Sequence, residues 1–157
     1  MPANAAKPAT KTAPRDVSEQ LCFAIYSTGH AFNRVYKPLL DALKLTYPQY
    51  LVMLSLWAQD DQTVGELGAK LFLESSTLTP LLKRLEALGY LSRKRDPDDE
   101  RQVRLRLTDK GSGLRRKSGD VSACIGAATG LSEDAAIRLR TQILALRDNL
   151  MKTAKAD

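Results

Sequence analysis

Residues 76–107, STLTPLLKRLEALGYLSRKRDPDDERQVRLRL, change their hydrophobic period halfway along. In the first half, leucines recur at helical spacing until Gly89, a residue type that commonly ends a helix. In the second half, VRLRL alternates apolar and charged residues, as a half-buried strand does. The turn-rich segment DPDDER separates it from LSRKR. The stretch therefore predicts a helix followed by a β-hairpin with a charged tip.

Further helices are predicted on both sides of this unit. Thr46 and Pro48 suit the start of one helix, and Thr63 with Glu66 has the spacing of a capping box for another. Asp16 and Glu19 have the same spacing and predict the start of a long first helix. Two more helices are predicted after Thr108 and Ser132. The order of elements predicts a mainly α fold with a small β-hairpin wing, a winged helix-turn-helix.

The same patterns divide the chain into segments. Residues 1–15 are rich in Ala, Pro, Thr and Lys and are predicted to form a disordered tail. Residues 16–46 form a predicted N-terminal helical segment, 47–108 the predicted winged helix-turn-helix core and 109–153 the predicted C-terminal helical segment. No apolar run has the length of a membrane span, and the start of the chain lacks the apolar core of a secretory signal. We expect a soluble cytoplasmic protein that does not enter a membrane.

The positive charge is concentrated in one segment. The chain carries 24 Lys and Arg against 18 Asp and Glu, a net charge of +6. Residues 76–117 contain twelve of these cations and six of the anions, so the whole surplus lies there. A localised surplus of this kind is typical of a surface that binds a polyanion, although a solvated basic face would look the same.

Candidate DNA contacts fall on the helix and on the hairpin. The leucine face leaves Thr77, Thr79, Lys83 and Arg84 on the opposite side of the helix, where hydroxyls can meet base edges and cations can meet phosphates. The hairpin adds cations long enough to reach an adjacent minor groove, at Arg93, Lys94, Arg95 and Arg101. The acidic tip residues Asp98, Asp99 and Glu100 are interpreted as holding an arginine such as Arg101 in an extended pose.

The two cysteines, Cys22 and Cys124, are far apart in sequence. Neither belongs to a CxxC pair, and the only histidine, His30, has no companion at metal-ligand spacing, so we expect no metal or other cofactor. Cys22 lies among apolar residues that suit a helix. Cysteines in such surroundings are commonly inert core residues, and that interpretation remains open alongside a redox role.

The segment STLTPLLKRLEALGYLSRKRDPDDERQVRLRLTDKG resembles the DNA-binding core of MarR-type transcription regulators. The resemblance extends over about residues 17–152. It implies a homodimer held together by its terminal helices, with two winged lobes that bind pseudo-palindromic double-stranded operator DNA. Members of the family are usually repressors released by a small molecule or by oxidation, and the resemblance implies no enzymatic activity.

Within that family, LCFAIYSTGHAFNRVYKPLLDALKLTYPQY resembles the OhrR-type branch, which senses organic hydroperoxides. The resemblance implies that Cys22 is the peroxide-reactive residue and that Tyr36 and Tyr47 donate hydrogen bonds to it. Cys124, near the end of the fifth helix, resembles the second cysteine of a two-cysteine subclass. It implies an intersubunit disulfide with Cys22, with an organic hydroperoxide as the inducer.

Helix geometry constrains how Cys22 can meet Tyr36. The two residues are fourteen positions apart, about 21 Å along a helix axis, and they fall on nearly the same side. One helix cannot bring them together, whereas an antiparallel partner helix can place each Cys22 beside the other subunit's Tyr36. Cys22 is predicted to lie in the second turn, where the helix dipole favours a thiolate only weakly.

Two other functions remain open from the sequence. A phenolic or aromatic ligand, rather than oxidation, would release a MarR-type repressor and leave the cysteines as bystanders. A thiol peroxidase would use Cys22 and Cys124 for turnover, but the chain lacks the alternating strand and helix pattern of thioredoxin-like peroxidases.

Overall fold

The computed structural model describes residues 16–154, so the predicted tail, 1–15, lies outside the described residues. A short 3₁₀ turn at Val17–Glu19 precedes six helices and three strands. In chain order these are α1 (Leu21–Asp41), α2 (Tyr47–Ala58), β1 (Gln62–Thr63), α3 (Val64–Leu71), α4 (Ser75–Ala87), β2 (Leu91–Arg95), β3 (Val103–Leu107), α5 (Asp109–Thr129) and α6 (Glu133–Ala154). The predicted mainly α fold with a hairpin wing is confirmed.

The first long helix begins later than the sequence predicted. Asp16 does act as a cap, but its carboxylate accepts the N–H of Ser18 and closes the 3₁₀ turn rather than starting α1. Gln20 is extended, and α1 begins at Leu21. Cys22 is therefore the second residue of α1 and lies in its first turn. The prediction that it lies in the second turn is wrong, and the free N–H groups of the helix start are nearer to it.

The predicted caps of the middle helices are confirmed. Thr46 and Gln49 form a reciprocal capping box at α2, and Thr63 and Glu66 form one at α3. Thr108 accepts the N–H of Gly111 at the start of α5. These local hydrogen bonds fix where each helix begins, and so they fix the lengths of the turns between them.

The wing belongs to a three-stranded antiparallel sheet in the order β1-β3-β2. The predicted hairpin is confirmed, and in its register Leu91 pairs with Leu107 and Arg95 with Val103. Strand β1 was not predicted, because its two residues are too few to show a period. This small antiparallel sheet differs from the alternating strand and helix arrangement of a thioredoxin-like peroxidase.

The core lies between the C-terminal end of α1, helices α2 to α5 and the sheet. Its fully buried side chains include Tyr50, Met53, Leu67, Leu85 and Leu105. Two long-range hydrogen bonds join α2 to α5 and the turn before β2 to the turn after α1. The indole N–H of Trp57 donates to the carbonyl of Gly111 at 2.9 Å, and the Tyr90 hydroxyl donates to the carbonyl of Leu43 at 3.2 Å.

The two ends of the described chain pack differently from the core. In α6 no residue is buried, and in α1 only Leu40 is. Both helices nevertheless carry large apolar side chains that are more than a third exposed, including Leu21, Phe32, Ile137, Leu139, Ile143 and Leu150. Within residues 16–154, no helix is both long and apolar enough to cross a membrane.

The start of α5 requires glycine at one position. The Tyr90 carbonyl accepts the Thr108 N–H, and a Cβ added at Gly111 would overlap that carbonyl oxygen. We predict that Gly111→Ala lowers the free energy of unfolding by about 1–3 kcal/mol through overpacking. Gly113→Ala, two residues on in the same helix, adds its methyl group to open space and should instead stabilise by about 0.5–1 kcal/mol. Urea unfolding of both variants checks this, and equal effects at the two positions would contradict it.

Candidate nucleic-acid interface and thiol sites

The predicted recognition helix, α4, has a buried face and an exposed face. Leu78, Leu82 and Leu85 are buried, and the four predicted contact residues, Thr77, Thr79, Lys83 and Arg84, are all exposed. The hydroxyl of Thr79 donates to the carbonyl of Ser75 at 2.8 Å. The hydroxyl oxygen keeps its lone pairs as acceptors.

A groove of about 460 Å³ lies between α4 and the wing. Thr79 lines it from the helix, and Arg93, Arg101 and Gln102 line it from the wing. The fold therefore brings two of the predicted hairpin arginines beside the exposed face of α4. Arg95 is also exposed, and it lies on the same face of β2 as Arg93.

Arg93 forms hydrogen bonds with Glu86 of helix α4. Its Nε donates to Oε2 of Glu86 at 2.8 Å, and its backbone N–H donates to the other oxygen at 3.2 Å. These hydrogen bonds hold the pKa of the Glu86 carboxyl below its usual value. Part of the Arg93 guanidinium is thus committed to joining the wing to α4, which the sequence did not indicate.

Arg101 projects from the tip of the wing. Its side chain is 91% exposed. Oδ1 of Asp99 accepts its Nε at 3.2 Å and its backbone N–H at 3.1 Å, and the other oxygen of Asp99 accepts the amide of Gln102. Of the three acidic residues predicted to hold Arg101, Asp99 is the one that makes these contacts.

One arginine of β3 links the wing to the body, an arrangement that we call the Arg104 clamp (Arg104, Asp61 and Asp96). Arg104 Nε donates to Oδ1 of Asp61 at 2.7 Å, and its Nη2 donates to the Asp61 carbonyl at 2.7 Å. Its Nη1 donates to Oδ2 of Asp96, at the start of the tip turn, at 3.0 Å. A single guanidinium thus bonds the loop before β1 and the tip of the hairpin, and it sets the angle of the wing.

The clamp stays charged over a wide pH range. Hydrogen bonds from Arg106 and Arg104 lower the pKa of Asp61 to about 2. Because the folded pKa lies below the ordinary value, the contribution of this carboxylate to stability is complete above about pH 4 and is lost as the pH falls through about 2. Hydrogen bonds to Asp61 and Asp96 raise the pKa of Arg104 further above its usual value.

The two thiols lie on separate helices, and both are exposed. Helices α1 and α5 pack together, and Ile125, the residue after Cys124, lines the same apolar cleft as Phe32. Cys22 lies ten residues before Phe32, which is about 15 Å further along α1. In the single chain both thiols are free, and no disulfide joins them.

The two predicted tyrosines come together within one chain. The rings of Tyr36 and Tyr47 are 4.7 Å apart between centroids, and Tyr50 lies behind them at 6.0 Å from Tyr36. Burial, followed by the neighbouring tyrosines, raises the pKa of Tyr36 to about 12, and burial also raises that of Tyr47. Both hydroxyls stay protonated and can donate hydrogen bonds. They border a pocket of about 240 Å³.

Within the described part of the chain, no group of three or more His, Cys, Asp or Glu is placed to hold a metal ion.

Comparison with known proteins establishes the family. The sequence model of the protein family described as transcriptional regulator SarA/Rot matches residues 34–117, more than half of the chain. The chain is 50% identical over 137 residues to the HTH-type transcriptional regulator TtmR of Methylorubrum extorquens, covering 87% of this chain and 70% of that one. It belongs to the MarR/SarA-type winged-helix transcriptional regulators.

Two further relatives connect the family to redox chemistry. The organic hydroperoxide resistance transcriptional regulator of Bacillus subtilis is 40% identical, with 85% of this chain and 91% of that one covered. AbfR of Staphylococcus epidermidis is 35% identical with a TM-score of 0.72, over 87% of this chain and 94% of that one. A structure of reduced AbfR bound to DNA has a TM-score of 0.72 and covers 85% of this chain and 93% of that one. A structure of AbfR with its disulfide formed has a TM-score of 0.59 and covers 83% of this chain and 91% of that one.

The Arg104 clamp can be tested by removing one charge. We predict that Asp61→Asn keeps the turn, because Asn tolerates the left-handed backbone at this position (φ 58), but weakens the hydrogen bonds to Arg104 and Arg106. Amide hydrogen exchange in β2 and β3 should become several-fold faster. The matched control is Asp120→Asn, an exposed carboxylate on α5, which should leave wing exchange unchanged. Unchanged exchange in Asp61→Asn would show that the clamp does not hold the wing.

Proposed function

We propose that this regulator is a dimeric DNA-binding repressor that senses organic hydroperoxides through oxidation of Cys22. The oxidised Cys22 is resolved as an intersubunit disulfide with Cys124, and operator DNA is released. The observation that carries this proposal is the geometry of α1. Cys22 is exposed in its first turn, while two protonated tyrosines lie 14 residues or more further along the chain, beyond reach within one subunit.

The DNA-binding part of the proposal is supported by the wing and α4. Thr79, Arg93 and Arg101 border one groove, and the net positive charge of the chain falls in this segment. Phosphate contacts by such cations position a reader on the duplex, and contacts to base edges supply specificity. The relative AbfR has been solved bound to DNA, which supports the same role here.

The dimer is supported by the apolar surface of α1 and α6. Large side chains such as Ile25, Phe32, Leu139 and Ile143 are 40% to 45% exposed in the single chain. Contiguous exposed apolar surface of this kind marks interaction sites in soluble proteins. A second copy with the same helices would bury this surface by two-fold symmetry, and an antiparallel α1 would bring each Cys22 to the other subunit's Tyr36.

Activation of Cys22 follows from two local effects. Hydrogen bonds from protonated tyrosines of the other subunit would stabilise the reactive thiolate form of Cys22. The position of Cys22 in the first turn of α1 adds a favourable interaction with the helix dipole. The surrounding side chains are apolar, which favours an organic peroxide over hydrogen peroxide.

The oxidation then proceeds in two balanced steps. The Cys22 thiolate attacks one oxygen of the hydroperoxide, the O–O bond breaks, and the leaving alkoxide takes a proton to give the alcohol. Cys22 is now a sulfenic acid. The Cys124 thiolate of the other subunit attacks its sulfur, the S–S bond forms as the S–O bond breaks, and the leaving hydroxide takes a proton from solvent to give water. A disulfide across the interface changes the relative position of the two DNA-reading lobes, which releases the operator.

A second candidate function, release by an apolar small molecule, is favoured by one observation. The cleft of about 380 Å³ between α1, α5 and α6 is lined almost entirely by apolar side chains, including Ala31, Phe32 and Leu139. A phenolic or aromatic ligand would fit a cavity of this size and lining. In that case neither cysteine would be needed for release.

Substitution of each thiol separates these functions. We predict that Cys22→Ser binds the operator as the unsubstituted protein does but is no longer released by one equivalent of cumene hydroperoxide. Cys124→Ser should still react at Cys22 but form no disulfide-linked dimer on a non-reducing gel. Dithiothreitol should restore DNA binding only to the protein with both cysteines. If peroxide releases the Cys22→Ser protein from the operator, the Cys22 thiol is not the sensor. If a phenolic compound releases the Cys22→Ser protein from the operator, release by a small-molecule ligand is favoured instead.

The wing gives an independent prediction. Arg101→Ala should weaken operator binding and reduce the slope of log K against log salt by about 1, because one phosphate-neutralising cation is lost. Its rate of Cys22 oxidation should not change, since the tip is remote from α1. The matched control is Arg138→Gln, an exposed arginine on α6. Fluorescence anisotropy at several salt concentrations checks both variants, and an unchanged slope in Arg101→Ala would remove Arg101 from the interface.

A further inference from the structure

Phe72 has an unusual backbone and an unusual exposure for an aromatic residue. It follows α3 with φ 55 and ψ 40, the left-handed region that disfavours residues with a Cβ. Its side chain is 56% exposed, while its neighbours Leu71 and Leu73 are half-buried against the core. A left-handed backbone costs free energy at a residue that has a Cβ. A contact made by the exposed ring can offset that cost.

The ring has a contact on α6. The guanidinium carbon of Arg147 lies 4.5 Å from the centre of the Phe72 ring, a cation–π geometry. Asp148 holds that guanidinium in place, because its Oδ1 accepts Nε at 3.0 Å and Nη2 at 2.7 Å. Since α6 has no buried residue, this pair is a specific point at which α6 meets the DNA-reading half of the chain.

The position of Phe72 is transmitted to the recognition helix by a tight turn. The N–H groups of Phe72 and Leu73 both donate to the carbonyl of Gly68. A Cβ added at Gly68 would come within 2.8 Å of the Leu73 carbonyl oxygen, so the turn has little room to change shape. Helix α4 begins at Ser75, three residues after Phe72. A side chain that fixes Phe72 therefore fixes the N-terminus of α4.

We propose that Arg147 and Phe72 are a positioning pair, through which α6 holds the N-terminus of the recognition helix in its DNA-binding position. The pair touches neither DNA nor a thiol and acts through α4. The inference rests on the proposed function only in its DNA-binding part. It extends that function by giving α6, a predicted dimerisation helix, a direct link to the surface that reads the operator.

The test is a double-mutant cycle on the operator affinity of the reduced protein. Phe72→Asn removes the ring and suits the left-handed backbone, and Arg147→Gln removes the cation. Each should weaken binding by about two- to fivefold, the value of an exposed cation–π contact. The double variant should be no weaker than either single one, because both remove the same contact.

The readouts separate positioning from general stability. Phe72→Asn should keep or raise the melting temperature while its affinity falls, since it relieves the backbone. The slope of affinity against salt should not change, because Arg147 meets no phosphate. Phe72→Tyr, which keeps the ring, should bind as the unsubstituted protein does. The matched control is Arg138→Gln, the same change of charge on the same helix.

Three results would overturn the proposal: additive losses in the double variant, unchanged affinity in both single variants, or a loss in Phe72→Tyr equal to that in Phe72→Asn. A failure of the proposed redox sensing can be distinguished from these three results, because it would appear only when peroxide is added. If peroxide does not release DNA from the unsubstituted protein, the cycle on the reduced protein still reports whether the pair positions α4.

Discussion

The rigidity of α1 is the constraint on which the proposed thiol chemistry depends. An α-helix of 21 residues holds Cys22 at one end and Tyr36 about 21 Å away, and Cys22 and Cys124 are both free thiols in the single chain. The single chain thus separates the thiol from the tyrosine that would activate it. The exposed apolar side chains of the same helix supply the means of reuniting them across a dimer axis, so that association and sensing would depend on one surface.

Ion pairs fix the wing to the apolar core of the DNA-reading half. Arg104 bonds Asp61, which precedes β1, as well as Asp96 within the wing, and Arg93 bonds Glu86 of α4, so the wing is fixed to the body through Asp61 and through Glu86. Because these arginines are occupied within the protein, the cations that face outward are the more exposed Lys83, Arg84, Arg95 and Arg101. A wing held at a fixed angle loses less conformational freedom on binding, which favours affinity.

Features that arise from neighbours in sequence were predictable, and contacts between distant residues were not. The capping pairs at Thr46 and Thr63 and the alternation in β3 act over a few residues, so they indicated helix starts and a hairpin correctly. The start of α1 was misplaced because Asp16 caps a 3₁₀ turn by the same local hydrogen bond that a helix would use. The Arg104 clamp joins residues 43 positions apart, and Phe72 meets Arg147 across 75 positions, so no local pattern could indicate either.

Whether Tyr36 acts on the Cys22 of its partner subunit can be measured in heterodimers prepared from differently tagged subunits, by following the rate of thiol loss under excess cumene hydroperoxide. In the first heterodimer one subunit carries Cys22→Ser and the other Tyr36→Phe, so the remaining Cys22 faces an intact tyrosine of its partner. In the second, one subunit carries both substitutions, so the remaining Cys22 faces a partner without that hydroxyl. If the partner's Tyr36 activates Cys22, thiol loss should proceed at an unimpaired rate in the first heterodimer and at a slowed rate in the second. Equal rates, or the reverse order, would contradict a sensor that is completed across the dimer interface.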